Sequence, residues 1–155
     1  MKKHSINKGF TLIELLVVIS VIALLSSIIL ASLSTAKKRA NDTKVRAQLV
    51  QAKTAVELYI SINGGYTAST MTPGSVCTGT MFTDPTSGMQ KLTGTAASWP
   101  SGTVLSCQST ATKYAITASL SDGGIWCVDS SGVSMPVFLS LPSGILSCDA
   151  LVGGL

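Results

Sequence analysis

Histidine occurs once in this chain, as His4, and the residues after it therefore cannot supply the Ser-His or Cys-His pair that nucleophilic catalysis uses. Charge is also scarce, at 12% of 155 residues, whereas 46% are hydrophobic. That balance leaves room for at most one modest soluble domain beside a long apolar segment. Glycine and proline are missing from residue 10 to residue 62, so nothing there breaks a helix. A basic patch is missing too. The net charge of +4 comes from Lys2, Lys3 and Lys8 and from six basic against three acidic residues between 10 and 65. From Tyr66 onward Lys91 and Lys113 are outnumbered by Asp84, Asp122, Asp129 and Asp149, so a pI near 9.0 is no argument for nucleic-acid binding.

What is present is an apolar run from residue 10 to residue 33 in which Glu14 is the sole charge. About 24 residues at about 1.5 Å each give roughly 36 Å of helix, enough to cross a hydrocarbon core of about 30 Å. An ionised carboxylate within such a span is unfavourable by several kcal/mol unless it is paired, reaches the interface or takes up a proton. Glu14 therefore needs a partner. Residues 1 to 9 carry Lys2, Lys3, His4 and Lys8 but no apolar core, so they do not form an ordinary secretory signal.

The string Lys8-Gly9-Phe10-Thr11-Leu12-Ile13-Glu14-Leu15-Leu16-Val17-Val18-Ile19 resembles the start of type IV prepilins and pseudopilins. The resemblance is strongest over residues 1 to 60 and only architectural beyond. It implies that a prepilin peptidase cuts after Gly9 and that the new amino terminus at Phe10 is N-methylated. Glu14 would then pair with the Phe10 amine of a neighbouring subunit as the helix leaves the bilayer for a filament. Pairing relieves a carboxylate that is unfavourable alone in lipid, so the charge specifies register more than it adds strength. A residue without a side chain at Gly9 suits an extended backbone in a protease cleft. Orientation is undecided by charge, because Lys37-Lys38-Arg39 balances the leader; the resemblance implies a cytoplasmic amino end. Many relatives carry a proline midway through the apolar half, whereas Ala23 and Ala31 stand in that region here, implying a straighter helix.

Beyond the span, Val45, Leu49, Ala52, Val56 and Tyr59 recur at steps of four and three, a packing stripe on one helical face. Asn63-Gly64-Gly65 is a helix stop. One helix over about 10 to 62 follows, near 80 Å long. From 66 to 155 the chain reads as strands and loops. Residues 67 to 109 hold turn signals (Thr72-Pro73-Gly74, Asp84-Pro85, Trp99-Pro100-Ser101-Gly102) and are expected to be mostly loop, with a short strand near 103 to 107. Tyr114, Ile116, Ala118 and Leu120 alternate on one face, Ser121-Asp122-Gly123-Gly124 is a turn, and 125 to 129 is the returning strand of a hairpin. Residues 133 to 141 add an edge strand, since Pro136 cannot serve a central one. The expected fold is α+β, a pilin-like ladle with a three- or four-stranded antiparallel sheet laid on the stripe. Its expected segments are a leader (1 to 9), an apolar half-helix (10 to 33), an amphipathic half-helix (34 to 65) and a head (66 to 155).

Cys77, Cys107, Cys127 and Cys148 all lie in the head, and an even count in a small, loop-rich, external domain favours disulfides. Four cysteines allow three pairings; Cys77 with Cys107 and Cys127 with Cys148 would tie down the long loop and the carboxyl-terminal tail. Zinc needs close ligand pairs, and these cysteines are 30, 20 and 21 residues apart. Reduced buried thiols are the other alternative. Asp122, Asp129 and Asp149 fit turns better than a Ca²⁺ site, and the Asn41-Asp42-Thr43 sequon falls on the helix. Tyr66, Trp99 and Trp126 read as core or loop anchors.

No enzyme activity, cofactor or metal is expected. The resemblance implies a structural subunit of a type IV pilus or secretion pseudopilus, held in the inner membrane before assembly. Its partners would be like subunits in a helical homopolymer, the prepilin peptidase and an inner-membrane assembly platform. The alternatives are a minor or tip subunit that contacts a surface or DNA through residues 67 to 109, and a membrane-tethered binding module that never polymerises.

Overall fold

A computed structural model of the chain describes residues 9 to 69, 77 to 94 and 99 to 152. The expected leader up to Lys8 and the turn expected at Thr72-Pro73-Gly74 lie outside the described residues. Two compact units are present, Met1–Lys37 and Lys38–Leu155. The helical segment of the first, like the rest of α1 (Leu12–Asn63), contains no helix breaker, and its apolar side chains face outward all round the helix. α1 is long and apolar enough to cross a membrane. Several of its hydroxyls bond locally: Ser20 and Ser27 donate to the carbonyls three residues back, and Ser32 to that of Ile28 at 3.1 Å. Such back-bonding lets a polar side chain sit in an apolar setting without an orphaned donor.

In the second unit α1 ends where glycine permits it. Gly64 adopts φ 78°, and its N–H donates to Ile60 O at 2.8 Å, the left-handed cap that closes a helix. Four strands follow: β1 (Leu105–Ser109), β2 (Tyr114–Ser119), β3 (Ile125–Asp129) and β4 (Ser134–Val137). They form one antiparallel sheet in sequential order. β4 lies at its edge, where Pro136 leaves no central ladder position unfilled. The expected hairpin is β2–β3, and the α+β architecture read from the sequence is the one observed.

Side-chain alternation divides the sheet into two faces. Tyr114, Ile116, Ala118 and Val128 pack with Val45, Leu49, Ala52, Val56 and Tyr59 of α1 in the main core. Ala115 and Cys127 point the other way, into a smaller cluster with Val137, Leu141, Cys148 and Leu151. The carboxyl-terminal segment thus covers the face that α1 does not. This parity also sorts the cysteines. Cys77 and Cys107 belong to the main core and are bonded, with Cα atoms 5.6 Å apart; Cys127 and Cys148 belong to the smaller cluster and are bonded at 5.8 Å.

Two expectations need correction. The stretch expected to be mostly loop contributes Met81, Phe82 and Met89, all fully buried, and a one-turn helix α2 (Met89–Leu92). Its polar groups are absorbed in turn: Thr93 Oγ1 donates to Phe82 O at 2.8 Å, and Cys77 N to Thr93 O at 2.8 Å. Periodicity failed there because the chain buries isolated side chains from turns, not a helix or strand face. The strand expected near 103 to 107 begins two residues later, at Leu105, where burial begins.

Polar contacts fix α1 to the sheet at its turns. Asp42 Oδ1 accepts the N–H of Ser121 at 2.6 Å, the Arg46 guanidinium lies 4.6 Å from the Trp126 ring centroid, and Lys53 Nζ donates to Gly132 O at 3.0 Å. These three residues recur one or two turns apart along α1, so one flank of the helix is held over both the β2–β3 and β3–β4 connections.

Candidate functional site

The residues singled out as a processing and assembly site, Gly9, Phe10 and Glu14, lie at the amino-terminal end of α1. Gly9, Phe10 and Thr11 precede the helix and are exposed, and the Phe10 side chain is 88% accessible. The Gly9–Phe10 bond is therefore in non-helical backbone, and a Cβ at Gly9 would meet open space.

Glu14 is engaged locally. Its Oε2 accepts from Thr11 N and from Thr11 Oγ1, each at 2.8 Å, while Glu14 N donates to Thr11 Oγ1 at 3.3 Å. This is a reciprocal capping box with Thr11 at the N-cap and Glu14 at the third helical position. It satisfies donors that a helix start otherwise leaves open, and it sets a carboxylate against the positive end of the helix dipole. Thr11 is the residue the sequence reading missed. Its signal was available, because threonine followed three residues later by glutamate at the head of an apolar run is the capping-box pattern.

The head places its polar candidates in structural roles. Asp122 Oδ1 accepts Gly124 N at 2.8 Å within the β2–β3 turn. Asp129 is 1% exposed: its Oδ1 accepts from Ser131 N at 2.9 Å, Ser131 Oγ at 2.5 Å and Val133 N at 3.3 Å, and its Oδ2 accepts from Cys148 N at 2.7 Å. Asp149 stands in the one-turn 3-10 segment Asp149–Leu151. Among the described residues no group of three or more His, Cys, Asp or Glu side chains comes together to hold a metal. Asp84 is held below the ordinary carboxylate range by the Ser87 N–H, at 2.6 Å, and by the Ser87 side chain. Burial, with Tyr66, Glu57 and Asp129 nearby, pushes the Tyr114 phenol well above its ordinary value. Trp126 Nε1 donates to Ser134 Oγ at 3.0 Å, Trp99 is buried, and the Tyr66 and Tyr114 rings are 5.7 Å apart. These aromatic residues anchor the fold.

The chemistry available is thus concentrated at the start of α1. Residues 5 to 30 match the family model described as the prokaryotic N-terminal methylation motif. The chain is 50% identical over 62 residues to the type IV wide pilus major component PilA4 of Thermus thermophilus, covering 40% of this chain and 47% of that protein. It is 30% identical over 97 residues to the type IV major fimbrial protein FimA of Dichelobacter nodosus, covering 57% of this chain and 62% of that one. The matches therefore span about half to three-fifths of these relatives. No solved structure gives a significant match.

Proposed function

We propose that this chain, a relative of the type IV pilins with a prokaryotic N-terminal methylation motif, is a structural pilus subunit that polymerises through α1 after processing at Gly9–Phe10. The observation that carries the reading is Glu14, the one charge in an apolar run directly behind an exposed, non-helical Gly9–Phe10 bond. Cleavage by a prepilin peptidase would create an amine at Phe10, and methylation would keep it basic. In the membrane-anchored precursor Glu14 is compensated by its own helix start through Thr11. In the filament it would gain the Phe10 amine of a neighbouring subunit.

An ion pair in an apolar setting is strong only when both charges are present, and removing one strands the other. A subunit out of register would leave two unpaired charges in the apolar core, so the pair selects the correct axial position. The same reading assigns the protein first to the inner membrane as a single-pass precursor, with an assembly platform as its partner, and then to a surface pilus or a secretion pseudopilus. A minor or tip role, with contact to a surface or DNA, is the finer alternative.

The rival is a tethered binding module that uses α1 only as an anchor. Glu14 separates the two. In cells carrying Glu14→Ala as the sole copy, the filament reading expects normal membrane levels of the chain and loss of shearable filaments. An unchanged filament yield would overturn it, and absence of filaments from the unmodified chain as well would favour the anchor.

A further inference from the structure

Large apolar side chains that stay exposed beyond α1 gather at one end of the sheet. Register and turns identify that end. β2 finishes and β3 starts there, and the turn between them is tied to Asp42 of α1, whereas the β3–β4 turn at the other end is tied to Lys53, farther along the helix. The end marked by Asp42 is therefore the one from which the chain leaves the second unit toward the apolar run. Val137 pairs with Ile125, and Ser119 N donates to Val104 O at 3.0 Å, so Val104 before β1 and Phe138 and Leu139 after β4 all lie at this end. They are 52%, 84% and 59% exposed; among the described residues past α1, Val152 is the one other large apolar side chain so exposed.

The chemistry of this rim matches a lipid surface. Residues 92 to 112 and 130 to 148 contain no charged side chain, so neither Val104 nor the Phe138-Leu139 pair brings a charge that must be dehydrated. The first and last strands of a four-stranded sheet are about 14 Å apart, and Ser119 and Ser121 stand between the apolar groups. A folded partner needs one contiguous packed apolar core, whereas a fluid interface takes up separated apolar side chains singly and leaves hydroxyls at headgroup depth. Charge supplies a second match. Lys38 and Arg39 are exposed four and three residues before Asp42, one helical turn toward the apolar run. Asp42 is buried on Ser121 N, which leaves Asp122 as the acidic side chain exposed in the turn.

We propose that Phe138, Leu139 and Val104 dip into the interface of the bilayer while Lys38 and Arg39 meet anionic phospholipid phosphates, so that the head rests on the membrane surface until assembly lifts it; the contact rests on the reading of α1 as a membrane span. Asp42 lies nine residues beyond Leu33, about 14 Å of helix, and the tilt of about 20° common among spans lowers one side of the head toward the headgroups. α1 already holds the head at the surface, so a contact that is weak alone is effective here because it forms within one anchored molecule.

Photoreactive benzoylphenylalanine at position 138 of the full chain tests the contact. The chain, with both disulfides formed, is placed one copy per nanodisc of phosphatidylethanolamine and phosphatidylglycerol, irradiated, and read by intact mass. Position 112, exposed in the β1–β2 turn at the opposite end of the sheet, is the control. Lipid adducts at 138 are expected about fivefold or more above those at 112, and to fall by about half or more in phosphatidylcholine alone, where Lys38 and Arg39 lose their anionic partners. Equal lipid yields at the two positions, or adducts at 138 to the chain itself in place of lipid, overturn the contact while leaving α1 a span. A yield at 138 that ignores lipid charge overturns the part assigned to Lys38 and Arg39. A chain that does not enter nanodiscs at all removes the span, and this contact with it.

Discussion

Replacing Asp129 by alanine is expected to release the carboxyl-terminal segment from the sheet. The carboxylate is buried and accepts four hydrogen bonds, three within the β3–β4 turn and one from the buried N–H of Cys148. Stranding that last donor is unfavourable by about 1–3 kcal/mol, and each partly exposed turn bond adds about 0.5–1.5 kcal/mol at most, since water can enter there. The sum is about 2.5–7.5 kcal/mol, a large share of the roughly 5–15 kcal/mol that holds a domain together. Asp129→Asn should recover only part of it. An amide that keeps its oxygen toward Ser131 presents an NH₂ to the Cys148 N–H, so two donors face each other. Urea unfolding of the full chain in detergent micelles, with both disulfides intact and tryptophan fluorescence as the signal, measures the change. Destabilisation by Asp129→Ala of less than about 0.5 kcal/mol, the level of an ordinary surface substitution, would refute the clasp.

Alkali should unfold the second unit through Tyr114: above about pH 10 the unfolded phenol ionises while the buried one keeps its proton, so stability falls as pH rises. Tyr114→Phe should flatten that fall in a pH series of thermal melts, and an unchanged alkaline limb would contradict the assignment. Asp84 has the opposite sign, because its folded carboxyl is held low; the Ser87 contact is present above the ordinary carboxylate range and lost as acid protonates Asp84. Asp84→Asn should therefore remove a small acid-dependent component, read from amide exchange at Ser87. Each disulfide closes a loop of 21 or 30 residues, worth about 3–4 kcal/mol by chain entropy. Paired serine replacements at Cys127 and Cys148 should loosen the 138 to 151 segment in hydrogen exchange while the α1 stripe stays protected; uniform loss across both would show that the two faces do not open separately.

The parts of this fold that were legible in the sequence are those whose residues repeat a local period. The stripe from Val45 to Tyr59 marks one buried side of α1, and the alternation of Tyr114, Ile116 and Ala118, continued just past the strand by Leu120, marks the inner face of β2. Pro136 placed β4 at an edge for a reason that needs no tertiary information. Met81, Phe82 and Met89 escaped notice because each enters the core singly from a turn or one-turn helix. The cover on the outer sheet face escaped for a related reason: Leu141, Cys148 and Leu151 are too widely and unevenly spaced to show a period. At the amino terminus the lone charge of Glu14 was conspicuous, but its partner Thr11 was read as part of a family string and not for its own chemistry. The spacing that joins them is local and physical, so the capping box could have been read without a structure.

The most direct test of the central claim is the intact mass and amino-terminal sequence of the chain recovered from filaments sheared off the cell surface. A polymerising, processed subunit predicts a chain that begins at N-methylated Phe10 in that fraction. A chain that still begins at Met1, found in membranes and missing from sheared material, would contradict both the cleavage at Gly9 and the assembly role of Glu14.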